Sequence, residues 1–148
     1  MIKINTDAAY QVRDQSAGLG IVIKQGAETQ EYKYHLNTVD DNHQAEFLAV
    51  YLALQLIKLD QNEGPSIVII HTDSQVVADS INKAFVKKAE YQPLLQGILR
   101  QTASLDTVIV EWVPEGNNRL ADHLARQALR KQGILNGILP SASLADLA

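Results

Sequence analysis

Four acidic residues stand where a folded chain could gather charge: Asp7 after Ile2-Lys3-Ile4-Asn5-Thr6, Glu46 at the start of the apolar stretch Ala45 to Leu59, Asp73 after Ile67-Val68-Ile69-Ile70-His71-Thr72, and Asp122 beside Ala121 and near Leu124. Each falls where a core-forming element should emerge at an edge: Asp7 and Asp73 at strand ends, Glu46 and Asp122 in the first turns of helices. Sites in open α/β sheets collect at the carboxyl ends of strands. If the four converge they cannot all stay ionised side by side, because carboxylates within a few ångströms repel one another. Mg²⁺ or Mn²⁺ is the natural counter-charge, a hard oxygen-seeking cation that needs neither cysteine nor histidine. Two such ions about 3.5–4 Å apart activate a water and stabilise the leaving oxygen of a phosphodiester. Taken singly, each acid has a plainer reading. Glu46 or Asp122 would complement a helix dipole, and Asp7 or Asp73 would cap or turn the chain after a strand. Spacing alone does not bring them together.

The elements that must position these acids follow from the pattern of apolar residues. Ile2 to Asp7 alternates as a strand, Gly18 to Lys24 reads as a second, and Glu31 to Leu36 alternates as a third, with Gly26 in the turn between the last two. Asp41 caps a helix, with Gln44 three residues on, and Ala45 to Leu59 is apolar almost all round, so that helix packs deeply. After Gly64-Pro65 the β-branched run Ile67 to Ile70 suggests a strand buried on both faces. Helices follow from Gln75 to about Phe85 and from Pro93 to about Ala103. A fifth strand spans Thr107 to Val113, and Arg119 to Lys131 forms a last helix stopped by Gly133. A meander followed by strand–helix units implies an α/β fold with a mixed sheet and helices on its faces. The apolar tail, with Ile134, Leu135, Ile138, Leu139, Leu144 and Leu147, either folds back on the domain or offers a contact for a partner or a second copy. The chain therefore divides into a domain at 1–132 and a tail at 133–148.

With 148 residues, 46% hydrophobic and 20% charged, the chain has the size and composition of one globular domain. It has no cysteine, which removes disulfides, thiolate zinc sites and cysteine nucleophiles. The opening Met1-Ile2-Lys3-Ile4-Asn5 is not a signal peptide, and no run approaches the ~18 apolar residues of a membrane span. A cytoplasmic protein without membrane association is expected. The net charge of −4 matters more. A domain that grips nucleic acid through its overall field is basic. Either the partner is something else, or some carboxylates hold cations that invert the local field.

Read together, Asn5-Thr6-Asp7-Ala8, Asn42-His43-Gln44-Ala45-Glu46, His71-Thr72-Asp73-Ser74-Gln75 and Asn117-Asn118-Arg119-Leu120-Ala121-Asp122-His123-Leu124-Ala125 resemble type 1 ribonuclease H. The element order matches, and the resemblance covers about residues 1–132. It implies a five-stranded mixed sheet whose first three strands are antiparallel. It also implies cutting of the RNA strand of RNA–DNA hybrids, leaving 3′-hydroxyl and 5′-phosphate ends. The family's catalytic and metal-binding acids carry over to Asp7, Glu46, Asp73 and Asp122, holding two Mg²⁺ or Mn²⁺ ions. Asn42 and Gln75 fall where the family meets the minor groove, a fitting role for amides that can bond to 2′-hydroxyls and base edges.

The chain departs from the family in three places. Asp7-Ala8-Ala9-Tyr10 replaces Asp-Gly-Ser, and the loop Gln11 to Ala17 lacks the usual Asn-Pro-Gly turn. The loop Pro114 to Asn118 carries no histidine, and Glu115 takes the place where that residue would help product leave. The basic protrusion is cut to Ala84 to Tyr91, where Lys83, Lys87 and Lys88 make a small phosphate-contacting patch beside Tyr91. Among the other residues, His35, His43 and His123 are expected to face water, His71 to be a hydrogen-bonded core residue, and Trp112 to belong to the core. A proofreading-type exonuclease is disfavoured because Ala9 stands where its second acid would be. The alternative of another class is a non-catalytic binding or scaffold module. The protein is expected to be a monomer, with a tail-mediated dimer as the other option.

Overall fold

The structure is a computed structural model that describes residues 1–60 and 67–142, side chains excepted at 58–60. The Gly64-Pro65 break and the end of the tail, Leu144 and Leu147 included, lie outside the described residues. The elements are β1 (Ile2–Gln11), β2 (Ser16–Gln25), β3 (Glu28–Leu36), α1 (Asn42–Asp60), β4 (Ile67–Thr72), α2 (Gln75–Lys83), α3 (Gln92–Ala103), β5 (Thr107–Trp112), α4 (Arg119–Leu129) and β6 (Gly137–Leu139), with single 3₁₀ turns at Ala89–Tyr91 and Glu115–Asn117.

They form one mixed sheet in the order β5-β4-β1-β2-β3-β6. β1, β2 and β3 are antiparallel, in register from Ile2↔Gln25 to Gln11↔Ser16 and from Ala17↔Leu36 to Gln25↔Glu28. The β2–β3 hairpin turns on two residues, the first being Gly26 with φ +61°, a conformation that suits glycine. β4 runs parallel to β1 and β5 parallel to β4. The sheet thus has six strands where the sequence suggested five. The added one is β6 in the tail, parallel to β3 from Tyr34↔Gly137 to Leu36↔Leu139. Its edge is fastened by Asn136 N–H to the Lys33 carbonyl (2.7 Å) and Asn37 N–H to the Leu139 carbonyl (2.9 Å). Three residues, the first a glycine and the last followed by Pro140, carry too little periodicity to be read as a strand.

Strand alternation divides β2 between two cores. Leu19, Ile21 and Ile23 face the main cluster under α1, α2 and α3, while Gly18, Gly20 and Val22 face α4. A Cβ on Gly18 would lie 2.0 Å from the Ala125 carbonyl oxygen, and one on Gly20 would lie 2.1 Å from that of Ala121. The two glycines therefore let α4 press backbone to backbone on the sheet, with Ala121, Leu124, Ala125 and Ala128 buried beneath it.

Because α4 packs on β1, β2 and β3, it leaves the outer face of β4 and β5 open. β4 is consequently not buried on both faces: Val68 and Ile70 are buried, but Ile67 is 46% exposed. His71 is half-buried on that open face and bonds Glu111 at 3.0 Å. His35, expected at the surface, is buried opposite Gly18 with Nδ1 2.9 Å from the Ala128 carbonyl oxygen. His123 is exposed as expected. Helices α2 and α4 end two residues before their sequence estimates, where Ala84 (φ +53°) and Lys131 (φ +54°) turn left-handed. Among the described residues no helix is long and apolar enough to cross a membrane.

Candidate active site

The site opens where two parallel strands part. β1 and β4 stay paired as far as Thr6↔Thr72. β4 then stops, Ser74 caps α2 by accepting the Val77 N–H, and Asp73 is left between strand and helix. β1 runs on as a hairpin arm to Gln11, so Asp7 is not at its end. It is the first residue beyond the parallel pairing, which places it at the same carboxyl edge as Asp73.

Helix α4 brings Asp122 to this edge, and Asn118 fixes the approach. Buried to 2% exposure, Asn118 donates through Nδ2 to the Thr6 carbonyl (2.8 Å) and accepts from Asn5 Nδ2 at 3.0 Å, while its own carbonyl receives the Asp122 N–H at 3.0 Å. Asn118→Ala leaves the Thr6 carbonyl and the Asn5 amide without these partners. The expected cost is about 2–3 kcal/mol, measured as a lowered urea midpoint at unchanged slope.

Glu46 arrives from α1. The helix starts as the sequence suggested, with Asp41 Oδ1 accepting the Gln44 N–H at 2.8 Å. The Gln44 side chain reaches back to the Asp40 N–H at 2.7 Å. Glu46 is the fifth residue of α1 and so lies in its second turn rather than its first. Asn42 Nδ2 donates to Oε1 at 2.9 Å, the i, i+4 contact expected of one helix face, and His43 Nδ1 stands 3.2 Å from Oε2.

These elements enclose a cleft of about 690 Å³ lined by all four acids, Glu115 and Asn42, together with Tyr10, Trp112, Arg126 and Arg130. Asp7 is buried, 6% exposed, and lines the cleft with Asp73 and Asp122. Burial first, then the Asp73 and Asp122 charges, push it up from 3.8 to about 8, although the Ala8 N–H pulls the other way. Asp73 is raised as well, by burial and then by the charge of Glu46, with Glu115 and Asp122 adding to it. Among the described residues the one ion pair to these aspartates is Arg126 Nε to Asp122 Oδ1 at 3.1 Å. The three aspartates are thus gathered with less positive charge than they need. Hard oxygen donors short of counter-charge fit a divalent cation. Among the described residues no three acidic or histidine side chains close around one point as they stand. Glu46 is turned toward the donors of its own helix.

The remaining candidates are dispersed. Gln75 is exposed at the first position of α2 and lines neither this cleft nor the groove beside it. Lys87 and Lys88 flank that groove, about 380 Å³ with an apolar floor of Val76, Val86 and Tyr91 and with His43, the neighbour of Glu46, in its lining. Lys88 Nζ lies 5.8 Å from the centre of the Tyr91 ring.

Trp112 is not a core residue. It is 50% exposed in the acid cleft, and its indole N–H donates to the Asp73 carbonyl at 3.0 Å. Alternation along β5 places Trp112 on the face of Val108 and Val110 and could not reveal this, because Trp112, paired with Thr72, is the last residue of the strand and stands in the cleft. Arg126 and Arg130 also escaped the sequence reading. Their four-residue spacing from Asp122 was the available signal.

The sequence model of the reverse transcriptase-like family matches residues 5–128. A protein named as a hydrolase, EbsB of Enterococcus faecalis, is 34% identical over 131 residues, spanning 88% of this chain and 96% of that protein. A ribonuclease H of Trichodesmium erythraeum is 32% identical, spanning 88% and 89%. Among solved structures, RNase H1 of Halobacterium salinarum (22% identical, TM-score 0.78) and LC11-RNase H1 in complex with an RNA/DNA hybrid (21%, 0.81) each superpose on 88% of this chain and 98% of their own.

Proposed function

Given that the chain belongs to the reverse transcriptase-like family and is a ribonuclease H type 1-like protein, we propose that it hydrolyses the RNA strand of RNA–DNA hybrids with the help of two divalent cations. The observation that carries this reading is the convergence of Asp7, Asp73 and Asp122 where β1 and β4 part, short of positive charge and open to a cleft.

Asp7, Glu46, Asp73 and Asp122 would hold Mg²⁺ or Mn²⁺. When bound, such ions supply an activated water and stabilise the leaving oxygen. The protein's own groups do the rest. Asp7 keeps a proton near neutral pH while the cluster is uncompensated and gives it up when positive charge arrives. Glu46 must exchange its contacts with Asn42 and His43 for the cluster, and the freed Asn42 amide is then placed to bond a ribose 2′-hydroxyl. Glu115 stands at the exposed lip of the cleft, where a carboxylate repels the 5′-phosphate product and favours its departure. Gln75, Lys87 and Lys88 would contact the substrate on the α2 side, the lysines as point charges for phosphate. One chain provides every residue named, so a monomer suffices, and the cytoplasm is its proposed place of work.

The test is incubation with end-labelled RNA–DNA hybrid, duplex RNA and duplex DNA in Mg²⁺, Mn²⁺ or EDTA. Cation-dependent cutting confined to the RNA of the hybrid is the expected result. Binding of the hybrid without cutting in any cation would make the chain a non-catalytic module of the same fold.

A further inference from the structure

Helix α4 presents two different sides. Ala121, Leu124, Ala125 and Ala128 are buried, with the helix seated against Gly18 and Gly20. Asp122, Arg126 and the C-cap residue Arg130 recur at four-residue intervals, share another side, and all line the acid cleft. Arg126 is partly engaged by Asp122 at 3.1 Å. Arg130 is exposed, and among the described residues its guanidinium has no hydrogen-bond or ion-pair partner.

A cleft with five carboxylates in a chain of net charge −4 repels a polyanion. We propose that Arg126 and Arg130 are a phosphate-binding rail that holds the backbone of the strand lying in the cleft. This rests on the nucleic-acid reading above. Guanidinium groups suit the task, since their fixed fork of donors matches a phosphate in a way a lysine does not. The glycine-seated packing of α4 gives the rail its position: with backbone against backbone, the helix is drawn in until its arginine-bearing side forms the wall. A plainer role for Arg130 is to complement the C-terminal dipole of α4, which would act on stability.

Binding of a short fluorescein-labelled RNA–DNA hybrid in EDTA, followed by anisotropy across a salt series, separates the two. Arg130→Gln is expected to weaken binding about three- to tenfold and to reduce the slope of log affinity against log salt by about one. Its melting temperature should stay within about 2 °C of the parent. In Mg²⁺ the loss falls on KM rather than kcat, and Arg130→Lys restores the salt slope. An unchanged slope and affinity, or a loss matched by a fall in melting temperature, overturns the rail. A parent that binds the hybrid but cuts it in no cation sinks the nuclease reading and leaves the rail standing. A parent that binds no hybrid sinks both.

Discussion

Asp7→Asn is expected to abolish cation-dependent cleavage and, in metal-free buffer at pH 8, to raise the melting temperature. The two effects have one cause. Asp7 is buried beside Asp73 and Asp122, and its folded value of about 8 lies far above its ordinary 3.8. The folded state therefore binds the extra proton between those limits. Stability of the metal-free parent is full below about 4 and declines as pH rises toward 8, because more of the penalty for a buried, crowded carboxylate is then incurred. An amide keeps the shape and carries no charge. The variant should show a flattened pH dependence between 4 and 8, and a gain at pH 8 on the order of 2 kcal/mol, or about 5 °C. Added Mg²⁺ or Mn²⁺ should stabilise the parent more than the variant. Cleavage should fall by about a thousandfold or more, as expected when a group that holds transition-state charge is lost. Thermal melts in EDTA from pH 4 to 9, beside a hybrid-cleavage assay, measure both halves. A variant that melts lower than the parent at pH 8 would mean that the aspartates do not repel.

Gly20→Ala should be among the most damaging single changes away from the acids. The added methyl would sit 2.1 Å from the Ala121 carbonyl oxygen and 2.7 Å from the Ala125 nitrogen, both backbone atoms that cannot rotate aside. Helix α4 must lift or shift, and it takes Asp122 with it. Overpacking a core ordinarily costs about 1–3 kcal/mol. With backbone on the far side the upper end is expected, a fall of roughly 10 °C in melting temperature. Cleavage should drop more than tenfold under conditions where the protein is still folded, since Gly20 lies opposite Asp7 in the β1–β2 register and the displaced helix carries that residue's partner. Gly26→Ala, in a turn with nothing near its Cβ, meets a strained φ and no clash and should cost about 1 kcal/mol. Denaturant unfolding of the two variants compares close packing with turn strain.

Much of the fold was legible because its signals are local. Alternation marked β1 and β3, the run Gly18 to Lys24 marked β2, the Asp41 and Gln44 pair marked the start of α1, and the acids fell close to the edges they were expected to occupy. Two misreadings concern burial. Trp112 shares its face of β5 with Val108 and Val110, as alternation predicts, but it is the last residue of the strand and stands in the acid cleft. The composition of Ile67 to Ile70 predicts burial on both faces, but burial depends on what covers a strand, and α4 covers only half of the sheet. β6 was missed because a strand of three residues is defined by its partner, not by its own pattern.

The sequence by itself determined the elements, their order and the residue types available for chemistry, since these follow from periodicity and capping along a few turns of chain. Only the tertiary structure decided which acids meet, that Glu46 is held by Asn42 and His43, that Trp112 braces Asp73, and that two arginines share the wall with Asp122. Those relations join segments far apart in the chain. They are set by strand order, by register and by how closely a helix can approach two glycines, and none of these is written in the spacing of neighbouring residues.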